Sequence, residues 1–224
     1  MDLTQTQQAI LQMIAERIDS EGMPPSQTEI ARAFGFKGVR AAQYHLEALE
    51  QAGAIAAHPR VQSVSFGLMD FVSAHGGAIP ASAMASAGQF THPLVLRAKV
   101  EISAACHAAG ITPSHGVVTE FKDTRALLKA ATKAARELAY TRMWSIHPGQ
   151  IPVILDAFTP VVAEVDDAVE ILTAAQAEHW APISHHGVLH DRASYRHHWY
   201  VLERAWLTGQ PLPAEIEERF FSEP

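Results

Sequence analysis

Apolar residues recur at helical spacing in the first part of the chain. One series, three or four positions apart, predicts a first helix that begins after Thr4: Ile10, Met13, Ile14 and Ile18. In SQTEIARAFGF, Ser26 and Glu29 have the spacing of a capping box, in which each residue satisfies a backbone donor of the other. A second helix is therefore predicted to begin there and to end at Gly35.

The third predicted helix covers residues 39–52 and ends at Gly53. It places Ala42, Leu46 and Leu49 on one side. Three short helices with a Gly-containing turn between the last two predict a helix-turn-helix, whose later helix can enter the major groove of DNA. The outward residues suit contacts with phosphates and base edges: Lys37, Arg40, Gln43 and Tyr44. A protein-docking role for the three helices is the alternative.

The pattern changes after residue 60 to apolar strands alternating with helices. Strands are predicted at 61–68, 115–121 and 141–147. Helices are predicted at 93–109, 124–139, 163–178 and 191–207. Alternation of this kind favours βαβ units around a parallel sheet.

Composition narrows the range of partners. Among 224 residues 48% are hydrophobic, yet no apolar run reaches the ~18 residues of a membrane span, so we expect no membrane contact. The single cysteine, Cys106, and the lack of a secretion signal favour a cytoplasmic location. A net charge of -7 argues against broad coating of nucleic acid, and any DNA contact must be local.

Chemistry in βαβ units collects where strands end. Asp70 follows the first strand and offers a hard oxygen ligand for Mg²⁺, although a helix cap explains it equally well. His147 and Pro148 follow the third strand, where a helix start can bind an anion. Glu120 and Asp123 fit a loop acid and an N-cap.

Histidines gather near the C-terminus: His185, His186, His190, His197 and His198. Histidine is a common zinc ligand, but the sequence shows no Cys or acid at a spacing that would complete a zinc site with these residues. Solvent-facing histidines are the alternative. Trp199, Leu202 and Trp206 at helical spacing indicate packing.

The stretch LTQTQQAILQMIAERIDSEGMPPSQTEIARAFGFKGVRAAQYHLEALEQAGAI resembles the N-terminal domain of LexA-type SOS repressors. The resemblance implies that residues 1–56 form a helix-turn-helix, winged-helix-like module that binds a double-stranded operator. The third helix would read it through Arg40, Ala41, Gln43 and Tyr44. Where the family has a β-wing rich in Gly and Arg, this chain has AAHPRVQSVSFGL. The self-cleaving domain with its Ser-Lys dyad has no counterpart here, so autoproteolysis is not expected.

The segments QSVSFGLMDF, HGVVTEFKD and YTRMWSIHPGQI resemble the second half of citrate lyase beta subunit-like proteins of the HpcH/HpaI aldolase family. The resemblance implies that residues 57–224 derive from a (β/α)8 barrel that makes or breaks carbon–carbon bonds in acyl-CoA thioesters with Mg²⁺. By the same resemblance Asp70 would bind the metal. His147, Pro148 and Gln150 would line the CoA site, and Asp191 would be the catalytic lid acid that reaches a neighbouring subunit.

The two resemblances meet within GAIAAHPR, residues 53–60. We therefore expect an α/β protein with an all-α N-terminal module, followed by a partial barrel that holds only the last strands. The partner Glu of the metal site would be missing, so Mg²⁺ binding would be weak or lost. Open barrel edges invite association, which predicts a homo-oligomer. A DNA-binding fusion, an impaired lyase and a product with neither activity remain open.

Overall fold

The chain divides into two compact units. The structure is a computed structural model that describes residues 3–21, 23–51, 53 and 55–222. Contacts separate Met1–Ile154 from Leu155–Pro224. This division falls far beyond the predicted boundary at residues 56 and 57, because the helical module packs with the first βα elements. A boundary between the two domains at residues 56 and 57 stays a prediction.

The first three helices follow the apolar pattern. They are α1 (Gln5–Glu21), α2 (Gln27–Ala33) and α3 (Val39–Gln51). Ser26 Oγ accepts a hydrogen bond from the Glu29 amide, and the Glu29 carboxylate accepts one from the Ser26 amide, which confirms the capping box. Gly35 follows α2 with φ +64°, a conformation that glycine adopts without strain. A buried cluster joins the three helices: Ile10, Ile14, Ile30, Ala31 and Ala42.

A three-stranded parallel sheet forms the centre of the α/β part. Its elements are β1 (Ser63–Ser65), α4 (Leu68–Ala74), α5 (Pro93–Ala109), β2 (Thr112–His115), α6 (Thr124–Glu137) and β3 (Arg142–Met143). The strand order is β1-β2-β3, with Ser63 opposite Thr112 and Ser114 opposite Arg142. Helices link consecutive parallel strands, as the alternation predicted.

The strand predicted at 115–121 is wrong, since β2 ends at His115. A Cβ atom on Gly116 would lie 2.6 Å from the carbonyl oxygen of Phe66, so the chain leaves the sheet where only glycine fits. The apolar residues after Gly116 lie in a loop, in which Val118 is 1% exposed. The strands predicted at 61–68 and 141–147 are present but shorter.

The helical module contacts the α/β part directly. Helix α3 packs against α4 and α5. The Arg40 Nε atom donates a hydrogen bond to the carbonyl oxygen of Ala74, at 2.9 Å. Six residues from both sides of the junction line one small cavity: Ile55, Ala56, Val64, Ile102, Ala105 and Cys106. The junction is therefore part of an apolar core and does not behave as an extended linker.

The second unit has its own core. Helix α7 (Ile151–Phe158) leads into α8 (Val162–Ala177), the antiparallel hairpin β4 (Ile183–His185) and β5 (Val188–His190), α9 (Arg192–Leu207) and α10 (Ala214–Phe220). Leu172, Leu202 and Ile216 are each at most 1% exposed and belong to one cluster. The helices predicted at 163–178 and 191–207 are confirmed within one residue. Among the helices of the described residues, none is long and apolar enough to cross a membrane.

A polar cluster lies inside the first unit. Lys99 is fully buried, and its Nζ donates to Gln89 Oε1 at 2.6 Å and to His115 Nε2 at 2.5 Å. His115 therefore carries its proton on Nδ1, which donates to the Gly116 carbonyl oxygen at 2.9 Å. The Lys99 ammonium position lies 4.6 Å from the centre of the Phe90 ring. The sequence did not indicate this cluster.

Burial favours the neutral form of both basic groups. It lowers the pKa of Lys99 from 10.5 to about 7. Burial, and then repulsion by Lys99, lowers the pKa of His115 from 6.5 to about 3, against the effect of its bond to Gly116. Since the folded pKa of each group lies below its unfolded value, the unfolded chain binds more protons between the two values. Stability therefore rises with pH from about 3 to 6.5 through His115, and from about 7 to 10.5 through Lys99.

We expect Lys99→Met to flatten the rise of stability above pH 7, because methionine has no proton to lose. In the unchanged protein Lys99 contributes up to about 1.4 kcal/mol per pH unit to the slope of the unfolding free energy. Urea unfolding at pH 7, 8 and 9 measures that slope. Lys129→Met, which removes an exposed lysine, is the control and should keep it. An unchanged slope in Lys99→Met would contradict the buried neutral amine.

Neighbouring leucines of α6 provide a test of the core. Leu127 is 2% exposed and Leu128 is 38% exposed. Leu127→Ala should lower the free energy of unfolding by about 2–5 kcal/mol, since it leaves a cavity. Leu128→Ala should cost less than about 1 kcal/mol. Urea titration of both variants checks the assignment of the buried face, and equal losses would show that α6 packs differently.

Candidate functional site

The residues predicted to contact DNA, on α3 and in the turn before it, differ in their exposure to solvent. Lys37, Arg40 and Tyr44 are exposed, whereas Ala41 and Gln43 are half-buried. The His45 ring stacks on Phe36 in the preceding turn, with ring centres 5.3 Å apart, and so fixes the start of α3 against α2. This is the helix-turn-helix arrangement that the spacing predicted. It leaves Tyr44, at 66% exposure, as the largest outward side chain of the helix.

Arg40 is held at the C-terminal end of α4. Its Nε–H donates to the Ala74 carbonyl, one of the last carbonyls of that helix. A cation there interacts favourably with the negative end of the helix dipole. Arg40 can contact DNA only by giving up this bond or by using its remaining guanidinium donors, so its position couples α3 to α4.

Asp70 lies in the first turn of α4 and is exposed. An acid at this position complements the positive end of the helix dipole, which accounts for it as a structural residue. Mg²⁺ in proteins is held by one or two carboxylates together with water and substrate oxygens. No group of three potential ligands that includes Asp70 occurs in the described part of the chain. Asp70 is thus an exposed carboxylate outside any such group, and exposure to water weakens its hold on Mg²⁺.

Gln150 has a buried position within the loop after β3. Its Nε2 donates to the Val118 carbonyl oxygen at 2.9 Å, and its Oε1 accepts from the Ile146 amide at 3.0 Å. The side chain is 1% exposed. Gln150 therefore joins the loops that follow β2 and β3, and it shapes this edge of the sheet without facing solvent.

His147 and Pro148 lie at the surface of the same loop. His147 Nδ1 accepts from the Gly149 amide at 3.0 Å and caps the short 3-10 helix Pro148–Gln150. Its ring centre is 5.7 Å from that of Phe121, an exposed residue of the loop after β2. The imidazole and the exposed Phe121 ring thus form a ligand-accessible surface at the carboxyl edge of the strands.

The acids of the loop after β2 have structural partners. Glu120 Oε1 accepts from the Ser86 amide at 2.9 Å. Burial opposes the charge of Glu120, but hydrogen bonds from Ser86 hold its pKa below the ordinary value. Asp123 caps α6 by accepting from the Ala126 amide, as predicted.

A cleft of about 390 Å³ opens beside the start of α6. Its lining includes three cations one helical turn apart, Arg125, Lys129 and Lys133, together with Ser86 and Thr91. Sequence reasoning did not single out these residues, although their i, i+4, i+8 spacing places them on one helix face. The charge of this face suits an anionic group.

Asp191 lies in the second unit, where it caps α9. Its Oδ1 accepts from the Ala193 amide at 2.9 Å, and Ser194 Oγ accepts from the Asp191 amide at 3.0 Å. These capping contacts account for Asp191 as a structural residue. The role of a lid acid stays a prediction.

Comparison with known proteins gives two separate likenesses. Residues 1–61 match the family model described as the LexA DNA binding domain. A LexA repressor of Stenotrophomonas maltophilia is 93% identical over 55 residues, which are 25% of this chain and 26% of that protein. A LexA repressor of Xanthomonas campestris is 68% identical over 82 residues, 36% of this chain and 37% of that protein. The chain thus spans about a quarter to a third of these relatives.

The solved structures match a larger share of the chain. A citrate lyase from Burkholderia xenovorans is 48% identical with a TM-score of 0.65, over 87% of this chain and 65% of that one. CitE from Mycobacterium tuberculosis, solved with magnesium, acetoacetate and coenzyme A, is 24% identical with a TM-score of 0.55, over 69% and 56% of the two chains. The second likeness concerns the fold alone.

The two likenesses overlap along the chain. Residues 1–61 are more than a quarter of the sequence, so a match over 87% of it includes part of the helical module. This overlap agrees with the packing of α3 on α4 and α5. The chain joins a LexA-like DNA-binding domain to a citrate lyase beta-like domain.

Proposed function

We propose that this protein binds a double-stranded DNA operator through α3 and acts as a transcriptional repressor. The observation that carries the proposal is that Arg40 and Tyr44 on α3, and Lys37 in the turn before it, are exposed, within residues that match the LexA DNA binding domain. The relatives named as LexA repressors support the same role. A response to SOS conditions belongs to the proposal only by analogy with them.

The reading residues have separate roles. Arg40 offers paired donors to guanine, and Gln43 can pair with adenine. Tyr44 and Ala41 suit a thymine methyl or a phosphate, and Lys37 a phosphate. Since the whole chain carries a net charge of -7, attraction to DNA depends on this one face.

The finer architecture is also a proposal. The lyase-like domain would be a partial (β/α)8 barrel, and the DNA module would be winged-helix-like. Three parallel strands in the order β1-β2-β3, with helices between them, support the barrel. As described, β1 and β3 are the outer strands of that sheet. Pairing of such strands between copies would give a homo-oligomer, and a dimer presents two copies of α3 to two operator half-sites.

The second candidate is a Mg²⁺-dependent carbon–carbon lyase that acts on an acyl-CoA such as citryl-CoA or malyl-CoA. It is favoured by 48% identity to a citrate lyase and by the surface that His147 and Phe121 form at the strand ends. Gln150 would position the CoA loop, Pro148 would begin its helical turn, and the cations of the α6 cleft suit CoA phosphates. Asp191 would supply the lid acid from a second copy.

The second candidate function depends on how tightly the chain can bind Mg²⁺. When bound, the ion would stabilise negative charge on an enolate oxygen. Asp70 is the residue that would hold it, and a single exposed carboxylate predicts weak binding. The proposed lyase is therefore impaired.

If the protein reads a specific operator, substitutions of the reading residues should weaken binding to that operator more than binding to unrelated DNA. Arg40→Ala and Gln43→Ala should each weaken binding to a duplex selected from random DNA by about tenfold or more, since a good base contact contributes ~1–3 kcal/mol. Binding to scrambled duplex should change far less. Fluorescence anisotropy on both duplexes measures the difference, with Arg125→Ala on α6 as the control. Equal losses on both duplexes would end the case for specific reading.

The lyase proposal predicts Mg²⁺-dependent cleavage of a malyl-CoA-like thioester. Asp70→Ala should abolish it, because Asp70 is the residue proposed to hold the ion, while Asp156→Ala on α7 should retain it. Release of the cleaved thioester is followed by liquid chromatography over a range of Mg²⁺ concentrations. Absence of turnover at every concentration would remove this second candidate and leave the DNA-binding proposal unaffected.

A further inference from the structure

The hairpin β4–β5 brings two histidines over α8. Glu170 lies on α8, and its Oε2 is 3.3 Å from His185 Nε2 and 3.9 Å from His186 Nε2. One potential ligand atom from each of the three residues lies within 4.8 Å of the other two. In the described ranges this is the only group of three His, Cys, Asp or Glu side chains that meets that criterion. The fold therefore supplies the acid that the sequence alone did not place beside these histidines.

The spacing of the three atoms suits a tetrahedral ion. Ligands about 2.0–2.1 Å from zinc in a tetrahedral arrangement lie about 3.3–3.4 Å from one another. The Glu170–His185 pair already has that separation, and the Glu170–His186 pair is about half an ångström too long. The two histidines have ligand atoms within 4.8 Å of each other, so the exposed His186 ring is the group that must move to complete the site. Two imidazoles and a carboxylate are ligands that zinc accepts, and they leave a fourth position for water.

The turn of the β4–β5 hairpin places the two histidines side by side. His185 pairs with Val188, so His186 and Gly187 form a two-residue turn. Their φ angles are +49° and +79°, as a type I′ turn requires. Asn, Asp and Gly are preferred there, and a histidine at positive φ is uncommon. The turn places the His186 ring 4.1 Å from the His185 ring, between centres.

His185 offers an available ligand atom. Its side chain is 18% exposed. Within the described part of the chain, its Nε2 is shielded from solvent and makes no hydrogen bond, although Glu170 Oε2 is close. An unsatisfied buried nitrogen is costly, and a metal ion would satisfy it. The His190 ring lies near it, with ring centres 6.2 Å apart, and adds a third imidazole to the cluster.

We propose that Glu170, His185 and His186 bind one zinc ion, with water as the fourth ligand. The ion joins the β4–β5 hairpin to α8 within the second unit. This site is separate from the operator-reading helix and from Asp70, and it depends on neither proposed activity. Its effect on the chain is to stabilise the second unit when zinc is present, because the ion binds the folded arrangement.

Zinc titration of the full-length protein tests the site. The protein is prepared without a histidine tag, freed of metal with a chelator and titrated with Zn²⁺ in a calorimeter. We expect one equivalent to bind, and the thermal midpoint of the zinc-loaded protein to rise. His186→Asn and Glu170→Gln should each lower the affinity at least about tenfold, since even outer partners of a metal site contribute that much.

A matched variant controls for general effects. His179 is also an exposed histidine of the second unit at positive φ, +52°, but it lies outside the group. His179→Asn should bind zinc with unchanged affinity, and asparagine suits the backbone at both positions. Absence of stoichiometric zinc binding would overturn the proposal. So would equal affinities of His186→Asn and the unchanged protein, with circular dichroism confirming that both are folded.

Discussion

The contact of α3 with α4 and α5 is the constraint on which the first unit depends. It joins a helix from the LexA-like module to helices of the lyase-like sheet, through Arg40 at the end of α4 and through an apolar cavity at the junction. Two sequences of different ancestry share one core there. The operator reading proposed for α3 and the stability of the α/β part are therefore linked through the same helix.

The loops at the strand ends form the surface on which the proposed lyase activity depends. Gln150 holds the loops after β2 and β3 together, and His147 and Phe121 face outward beside them. These contacts preserve the shape of a binding edge. In the lyase proposal Asp70 is the carboxylate that would hold Mg²⁺, and its exposed position predicts weak binding. The DNA module keeps its capping box, its core and its outward side chains, and it is the better candidate for an activity.

Local signals predicted the longer helices well, because such signals depend on neighbours in sequence, but the short helices α4 and α10 were not predicted. The helix at 93–109 was predicted to the residue, and the Ser26–Glu29 capping box was predicted from its spacing. The N-cap at Asp123 was one of the readings left open for that acid. The strand at 115–121 was wrong because close packing of Gly116 on Phe66 is a long-range contact. Lys99 was missed because a lysine in a helix normally faces water, and Glu170 because only the fold brings it to His185.

Native-state hydrogen exchange, followed by mass spectrometry at increasing urea, tests the shared core most directly. If α3 belongs to one cooperative unit with α4 and α5, the amides of Val39–Gln51 and of Pro93–Ala109 lose protection together as urea rises. Opening of α1, α2 and α3 at clearly lower urea than α5 would show an independent DNA module, and would contradict the account.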